Sequence, residues 1–496
     1  MRVTAISLWV LTAFLMQPAL AHTHFTINNS CRDAHRLTLQ LELNAANHML
    51  KQAGASDADN VAIAYFQSQS HFVRAFISEE QADFVILQKS TDLCLELLDD
   101  LPENNPWKGQ ARSELLLRLA LVKLKRQEFV SAGYNIRKAF MQSMDVRKKY
   151  PDFAPAKRTA GMLHMAMGSV PENYKWLANL AGMQGSIEQG AKEMDGAILS
   201  MKKDAEFGFL LDETLLMRAF CASHFEKNEQ RALELVAKYA NNASGLFLFF
   251  QVNTLVKAER FRDALAMLNN YKASPTSYPL HYVAFQKGLL QLGALQTKEA
   301  SISFATYVNN YKGNSFAKAS LHKLAWISLL QGDSAGYKQN MSRVLTRGTA
   351  FTDEDQQAQR QAESGDVPNV YLLECRLLFD GGNYDEALEK LSAIPTSKVA
   401  SLRDQLEFTY RMARICEKKK MTERAIRFYN STYVNGKDHT WYFAANSALL
   451  LGNIYEKAGD KTKALEWYKK CLALRKHEYQ NSIDQKAESG KNRVSK

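Results

Sequence analysis

The chain has 496 residues, of which 46% are hydrophobic and 23% charged, and only ten are proline. This composition excludes an intrinsically disordered tail, a collagen-like fibre and a disulfide-dense scaffold, and the scarcity of proline favours long helices. The formal net charge is +11. Basic and acidic blocks alternate along the sequence, however, and such a patchwork is weak evidence for binding a polyanion.

The N-terminus has the pattern of a secretory signal peptide, residues 1–21. Arg2 supplies a positive charge, an apolar stretch occupies 3–16, and the small-x-small sequence ALA ends the segment. We therefore expect cleavage after Ala21, a mature chain that begins at His22, and a periplasmic or otherwise exported protein. The apolar stretch and every later uncharged run are shorter than the ~20 residues needed to cross a bilayer, so we expect a chain that is not membrane-spanning.

The six cysteines show no CxxC spacing, although an exported protein meets oxidising conditions. Five of them lie in apolar helical patterns, where cysteine behaves as a small buried hydrophobe. We expect these five to be free thiols: Cys94, Cys221, Cys375, Cys416 and Cys471. Cys31, near the predicted mature terminus, is the cysteine best placed to form a disulfide.

The segment 441–474 contains two helical stripes interrupted once. Gly452 is followed at +7 by Gly459, at +12 by Ala464 and at +16 by Tyr468. The small residues allow two antiparallel helices to approach, the tyrosine fills the space beside the contact, and Gly459 turns the chain. This spacing resembles the tetratricopeptide repeat (TPR), a helix-turn-helix unit of about 34 residues.

The turn-plus-alanine pattern recurs upstream, with a large apolar residue four positions after each alanine. The alanines are Ala132, Ala232, Ala264, Ala300, Ala387 and Ala425. A degenerate unit is expected between the fourth and fifth, with its turn at Gly332-Asp333, and the mean spacing from Ala232 to Ala464 is about 39 residues. The pattern predicts an all-α fold, a right-handed TPR-like helical solenoid of stacked antiparallel helix pairs over 201–475.

Flanking regions fit this repeat less well. Residues 22–200 are predicted to form an N-terminal helical region in which a Gly- and Pro-containing segment, 150–198, is irregular. Because irregular backbone in a rigid array often carries function, this segment is a candidate functional region. The polar residues 476–496 are expected to form a flexible tail.

Several blocks also resemble an uncharacterised class of exported bacterial TPR proteins. These blocks are FISEEQADF (76–84), YNIRKAF (134–140), YPDFAPAKR (150–158) and VPENYKWLANL (170–180). The last one is distantly similar to the tetratricopeptide repeat protein 39 family. Both resemblances support the predicted fold, and the first one also supports export of the protein. Neither resemblance implies an activity or a catalytic residue.

Catalytic motifs are missing from the sequence. It contains no HExxH, no GxSxG and no GxGxxG after a strand pattern. The stretch GSIEQGAK (185–192) lacks the Gly-Lys-Ser/Thr that a phosphate loop needs. We therefore predict no enzyme and no cofactor, with an enzyme that has no recognisable motif as a remaining alternative.

Two sequence features suggest a metal. A mature terminus His22-Thr23-His24 would offer the four nitrogens of a square-planar Cu(II) or Ni(II) site. Thioethers select Cu(I), and one short stretch offers Met162, His164, Met165 and Met167. The competing interpretation is that these methionines fill a core. The alternative function is thus a small-ligand or copper-binding module around 150–200 and the mature terminus, with Tyr174 and Trp176 as further ligand-binding candidates.

The basic segment 414–427 raises the question of nucleic acid. No aromatic residues alternate with its basic ones, and export would separate the chain from most nucleic acid. We expect no nucleic-acid partner. An anionic surface of the cell envelope, contacted peripherally, is a better target for these positive charges than nucleic acid.

The first helices of successive TPR units line an inner groove. The spacing places seven candidate partner-binding residues there: Asn369, Arg376, Tyr410, Arg414, Asn446, Asn453 and Lys457. Asn and Arg side chains can satisfy a peptide backbone or a carboxylate. Leu449 stands where the known TPR carboxylate clamp has lysine. Our main hypothesis is a non-enzymatic protein-protein interaction scaffold of the cell envelope that holds a protein or peptide in this groove.

Overall fold

The computed structural model describes residues 23–170, 181–239 and 245–495. Within these ranges the chain forms 24 α-helices, and its β-structure is limited to one isolated bridge between His24 and Asn60. The helices of the first half are α1 (Asn29–Leu39), α2 (Leu43–Ser56), α3 (Val61–Ser78), α4 (Gln81–Asp99), α5 (Pro106–Lys125), α6 (Phe129–Lys149), α7 (Ala154–Gly168), α8 (Ile187–Lys203), α9 (Leu211–Cys221), α10 (Glu229–Val236), α11 (Gly245–Lys257) and α12 (Phe261–Asn270). Those of the second half are α13 (Tyr282–Gly293), α14 (Thr297–Asn310), α15 (Ala317–Leu330), α16 (Ser334–Thr346), α17 (Asp353–Ser364), α18 (Val370–Asp380), α19 (Tyr384–Ser392), α20 (Leu402–Lys418), α21 (Thr422–Gly436), α22 (Tyr442–Lys457), α23 (Lys461–Ala473) and α24 (Gln480–Val494).

Consecutive helices pack as pairs, and each pair packs on the next. The predicted all-α, TPR-like solenoid of stacked antiparallel helix pairs is therefore confirmed. No described helix combines the length and the apolar character that crossing a membrane requires.

The alanines of the predicted repeat lie where their helices come closest. All seven, from Ala132 to Ala464, have no exposed surface. In the C-terminal unit the ring of Tyr468 lies against Gly452, where an added Cβ would stand 2.5 Å from a ring carbon. A larger residue at 452 would clash with this ring, so glycine here sets the spacing of α22 and α23.

Paired helices also make up the predicted N-terminal helical region before residue 201. Ala120 and Ala132 are fully buried between α5 and α6. Of the described parts of 150–198, residues 154–168 and 187–198 are helical, in α7 and α8, whereas 150–153, 169–170 and 181–186 are turns or irregular backbone. The glycines there serve a close crossing of helices, because a Cβ at Gly161 would lie 2.7 Å from the carbonyl oxygen of Gly190. Residues 171–180 of this segment lie outside the described residues.

The C-terminal tail is helical, which differs from the flexible tail that we expected. In α24 the side chains of Ile483 and Ala487 are buried, and Gly490 lies against the ring of Tyr468. These residues follow each other at +4 and +3 and so form a narrow apolar stripe that covers the last helix pair. Most other residues of α24 are polar, so the narrow apolar stripe could not be recognised from the sequence.

One helix interrupts the regular pairing. α17 packs on α15 and α16, with Ala358 buried against Leu321 and Val344. Its Asp355 carboxylate accepts hydrogen bonds from the backbone amides of Phe316 (2.7 Å) and Ala319 (2.9 Å) at the start of α15. These bonds satisfy amides that a helix start leaves unpaired, and they fix α17 beside the inner helices.

All six cysteines are buried free thiols. The five cysteines predicted to be free thiols are free in the structure. Cys31, which we considered best placed to form a disulfide, is free as well. Burial raises the pKa of the Cys31 thiol to about 11, so it is protonated and poorly reactive at neutral pH.

Candidate binding cavity on the inner helices

A cavity of about 920 Å³ opens on the inner side of the last three helix pairs. Its walls come from α18, α20 and α22, with α17 on one side and the stretch 478–486 on the other. Arg360 of α17 lies 4.6 Å over the ring of Tyr479, and this contact joins the two sides. The two elements that border the cavity are thus those that the repeat pattern did not predict.

Five of the seven predicted partner-binding residues line this one cavity: Asn369, Arg376, Tyr410, Arg414 and Asn446. The other two, Asn453 and Lys457, line a neighbouring cavity of about 490 Å³. Arg414 belongs to both linings. The spacing of the repeat therefore located a continuous series of inner-helix positions, because equivalent positions of stacked units lie side by side.

Tyr410 holds two of these residues in place. It is only 3% exposed, and its ring packs edge-on against Tyr442. The Tyr410 hydroxyl oxygen accepts hydrogen bonds from Arg414 Nη1 (3.0 Å) and Asn446 Nδ2 (2.6 Å). The Tyr410 hydroxyl therefore positions the side chains of Arg414 and Asn446.

The two other predicted asparagines are already engaged within the protein. Asn369 caps the start of α18, since its Oδ1 accepts from the amides of Tyr371 and Leu372. Its Nδ2 donates to the carbonyl of Lys398 (2.7 Å), which leaves little capacity for a ligand. The Oδ1 of Asn453 accepts from the Tyr468 hydroxyl (2.8 Å).

Positive charge on the cavity wall is distributed unevenly. Arg403 pairs with Asp366 at 3.1 Å, and Arg411 pairs with Glu407 one turn away. Arg376, in contrast, has Asp380 only at 3.6 Å and lies 4.8 Å over the ring of Trp326.

Lys323 of α15 lies next to this arginine, with its Nζ 3.6 Å from the centre of the same indole ring. Burial, and then the charge of Arg376, lower the pKa of Lys323 to about 7. Sequence analysis missed both Lys323 and Trp326. They belong to the degenerate unit, whose inner helix could not be aligned; its turn at Gly332-Asp333 does lie between α15 and α16.

The residues predicted as metal ligands around 162–167 make other contacts in the structure. Met165 packs with Met194 and Cys221 in a small core, and Met162 borders it. The ring of His164 is hydrogen-bonded to Glu193 at 2.6 Å. In the described ranges no three His, Cys, Asp or Glu residues are grouped so that they could hold a metal ion.

Three residues of the alternatives lie outside the described residues: His22, Tyr174 and Trp176. His24 is described, and its Nε2 lies 3.5 Å from Asp57. Met167 is partly buried at the end of α7. In the basic segment 414–427, Lys418 and Lys419 form ion pairs with Glu259 and Asp385.

A family model described as tetratricopeptide repeat matches residues 447–479. The chain contains a TPR unit. This TPR match starts within α22, includes α23 and ends just before α24. No curated protein matches the chain.

Solved structures match the chain at low sequence identity and low TM-score. The chain is similar to a monomeric mutant of IFIT1 with Gppp-AAAA (14% identity, 91% of each chain covered, TM-score 0.36). It is also similar to yeast Tom70, with 13% identity, 94% of this chain and 96% of that chain covered, and a TM-score of 0.23. For the APC/C hetero-tetramer Cut9-Hcn1 the identity is 12%, the coverage is 92% of this chain and 95% of that chain, and the TM-score is 0.25.

Proposed function

We propose that the chain is a non-enzymatic protein-protein interaction scaffold that binds a peptide segment of a protein partner in the 920 Å³ cavity. The single observation that carries this proposal is the wall of that cavity. Inner helices of three successive pairs contribute to it, and two of its polar side chains, Arg414 and Asn446, are held by one buried hydroxyl. Preorganised polar groups reduce the entropy that binding costs.

The character of the lining favours a peptide over a small molecule. Pockets for small ligands are mostly apolar and measure about 300–1,000 Å³. This cavity lies at the upper end of that range, and charged residues from four helices line it. Asn446 uses its Nδ2 internally, whereas its Oδ1 makes no hydrogen bond within the described chain and can accept one from a peptide amide.

Selection of linear peptides tests this proposal. A library of random peptides is selected against the wild-type protein and against Asn446→Trp, which places an indole in the cavity. A matched control, Val434→Trp, places the same group at an exposed site on α21 that is 55% accessible. We expect selected peptides to bind wild type and Val434→Trp but to lose binding to Asn446→Trp. Failure to select any peptide, or equal binding to both tryptophan variants, would contradict the proposal.

We also propose that the scaffold works in the cell envelope after removal of residues 1–21, and that any contact with an anionic envelope surface is peripheral. The support is the sequence pattern of the N-terminus, which lies outside the described residues. N-terminal sequencing of protein recovered from the envelope fraction should read His22 first. A mature protein that retains Met1 would contradict export by this signal.

A further inference from the structure

One side of α6 is apolar and exposed. Val130 is 91% exposed, and Phe129, Tyr134 and Met141 are 57%, 58% and 40% exposed. Val130, Tyr134 and Met141 follow each other at +4 and +7 and so share one side of the helix, whereas the buried residues of α6 lie on the opposite side. Exposed apolar patches of this kind mark surfaces that bind a partner or a membrane.

Positive charge accompanies these apolar side chains. The exposed residues of α6 include four cations, Arg137, Lys138, Lys148 and Lys149, and one acid, Asp145. None of the four cations forms an ion pair in the described part of the chain. Two of them donate to backbone carbonyl oxygens, and one lies over the ring of the exposed tyrosine. Because no carboxylate neutralises them, these charges attract anionic surfaces.

Two other helices show only half of this combination. α21 carries exposed cations of the basic segment 414–427, but Val434 is its one exposed large apolar residue. On α4 the side chain of Leu93 is exposed, but the exposed acids Asp92 and Glu96 accompany it. Apolar exposure and positive charge therefore coincide on α6 and not on these helices.

An anionic phospholipid bilayer offers both kinds of contact at once. Apolar side chains enter the boundary between headgroups and acyl chains, tyrosine favours the same depth, and lysine and arginine contact lipid phosphates. With 21 residues α6 is about 32 Å long, so a helix that lies flat presents its apolar stripe and its cations to many headgroups together. A protein partner would need a fixed acid opposite each cation, whereas a lipid surface supplies mobile anions along the whole helix.

We infer that the exposed side of α6, here called the α6 face, docks on the surface of an anionic phospholipid bilayer. This inference rests on the peripheral envelope contact proposed above and gives that contact a location. It does not involve the peptide-binding cavity, whose walls come from α17, α18, α20, α22 and the stretch 478–486. A protein held to the bilayer by the α6 face would keep that cavity available for its partner.

Sedimentation with vesicles tests the inference. The protein should bind vesicles of phosphatidylglycerol and phosphatidylcholine, should not bind phosphatidylcholine alone, and should lose affinity as salt is added. Val130→Asp should weaken binding by about tenfold or more, because it removes a highly exposed apolar side chain and adds a negative charge. Replacing Lys138 and Lys148 by Gln should weaken binding by about fivefold for each charge. Val434→Asp is the matched control, since it makes the same change at an exposed valine of α21, and it should bind like wild type.

A fluorescent label reports the contact itself. All six native cysteines are buried, so Val130→Cys supplies one reactive thiol for an environment-sensitive dye. The emission of this dye should shift to the blue with anionic vesicles, and that of a dye at Val434→Cys should not. Absence of vesicle binding, equal losses for Val130→Asp and Val434→Asp, or self-association of the protein that Val130→Asp abolishes would overturn the membrane site. Selected peptides should bind Val130→Asp and wild type equally, so a failure of this inference and a failure of the peptide-binding proposal are distinguishable.

Discussion

Replacing Glu114 by Gln tests the structural basis of the N-terminal pairs most severely. Glu114 lies on α5 and is 5% exposed. Its carboxylate accepts from Arg158 at 2.6 Å and from Arg118 at 3.3 Å, and it is also hydrogen-bonded to Tyr65. Arg158 continues the network to Glu213 at 2.7 Å. Two arginines, two glutamates and Tyr65 thus join α3, α5, α7 and α9 inside the solenoid.

The magnitude follows from the charges. Glu114→Gln leaves two buried arginines with one carboxylate, and removing one partner of a buried ion pair costs about 3–5 kcal/mol. The lowered pKa of Glu114 gives a second value for this free-energy change. Burial raises the pKa of Glu114, but Arg158 and Arg118 outweigh it and bring the pKa to about 2. From an ordinary value of 4.5, the difference corresponds to about 3 kcal/mol.

The sign of the pH effect follows from the lowered pKa. The stabilisation is complete above pH 4.5, the unperturbed pKa, and is lost as the pH falls towards about 2. Wild type should therefore lose stability over this range more steeply than Glu114→Gln, which has no proton to gain there.

Hydrogen exchange with mass spectrometry is the suitable assay, because repeat arrays open locally and a single melting temperature mixes their parts. We expect Glu114→Gln to speed exchange in α3, α5 and α7 and to leave α22 and α23 protected. Glu103→Gln is the matched control, since Glu103 pairs with Lys108 but is 88% exposed. A free-energy loss below about 1 kcal/mol for Glu114→Gln, or equal losses for both variants, would show that this buried ion-pair network does not stabilise the N-terminal helices.

Three further predictions concern other parts of the chain. Gly452→Ala should cost about 1–3 kcal/mol, because its Cβ would overlap the Tyr468 ring; chemical denaturation that shows no loss would contradict this packing. Glu79→Gln should cost about 2 kcal/mol and open 311–316 to proteases, since the Glu79 carboxylate accepts from the amides of Asn314 and Ser315. Burial raises the pKa of Glu79, but its salt bridge with Lys125 and these hydrogen bonds outweigh burial and lower it, so wild type should lose this stabilisation as the pH falls below 4.5. All six thiols should resist alkylation in the folded protein and react after unfolding, and a reduction-dependent thiol count would show that a disulfide had formed.

The repeat could be predicted from sequence because its small residues have a strict mechanical role. A helix crossing as close as that of Gly452 and Tyr468 accepts almost no substitution, so alanine and glycine mark it at fixed spacing. The same spacing placed Arg376, Arg414 and Asn446 on one wall. Elements that follow no repeat, such as α17, gave no comparable signal.

Long-range contacts explain what the sequence did not reveal about the site. Lys323 and Arg376 are separated by 53 positions and meet only because α15 and α18 are brought together around Trp326. Asn369 has the right position for the groove, but the turn before α20 supplies the Lys398 carbonyl that engages it. Periodicity within one unit cannot report such contacts between units.

Site-specific photocrosslinking is the most direct test of the cavity as the binding site. A photoreactive phenylalanine analogue replaces Asn446 in the cavity or Val434 on the outer face, in the cells that make the protein. We expect one crosslinked protein partner from position 446, joined through a single peptide segment, and none from position 434. Crosslinks from position 434 alone, or the same products from both positions, would place the partner elsewhere and rule out the cavity as its binding site.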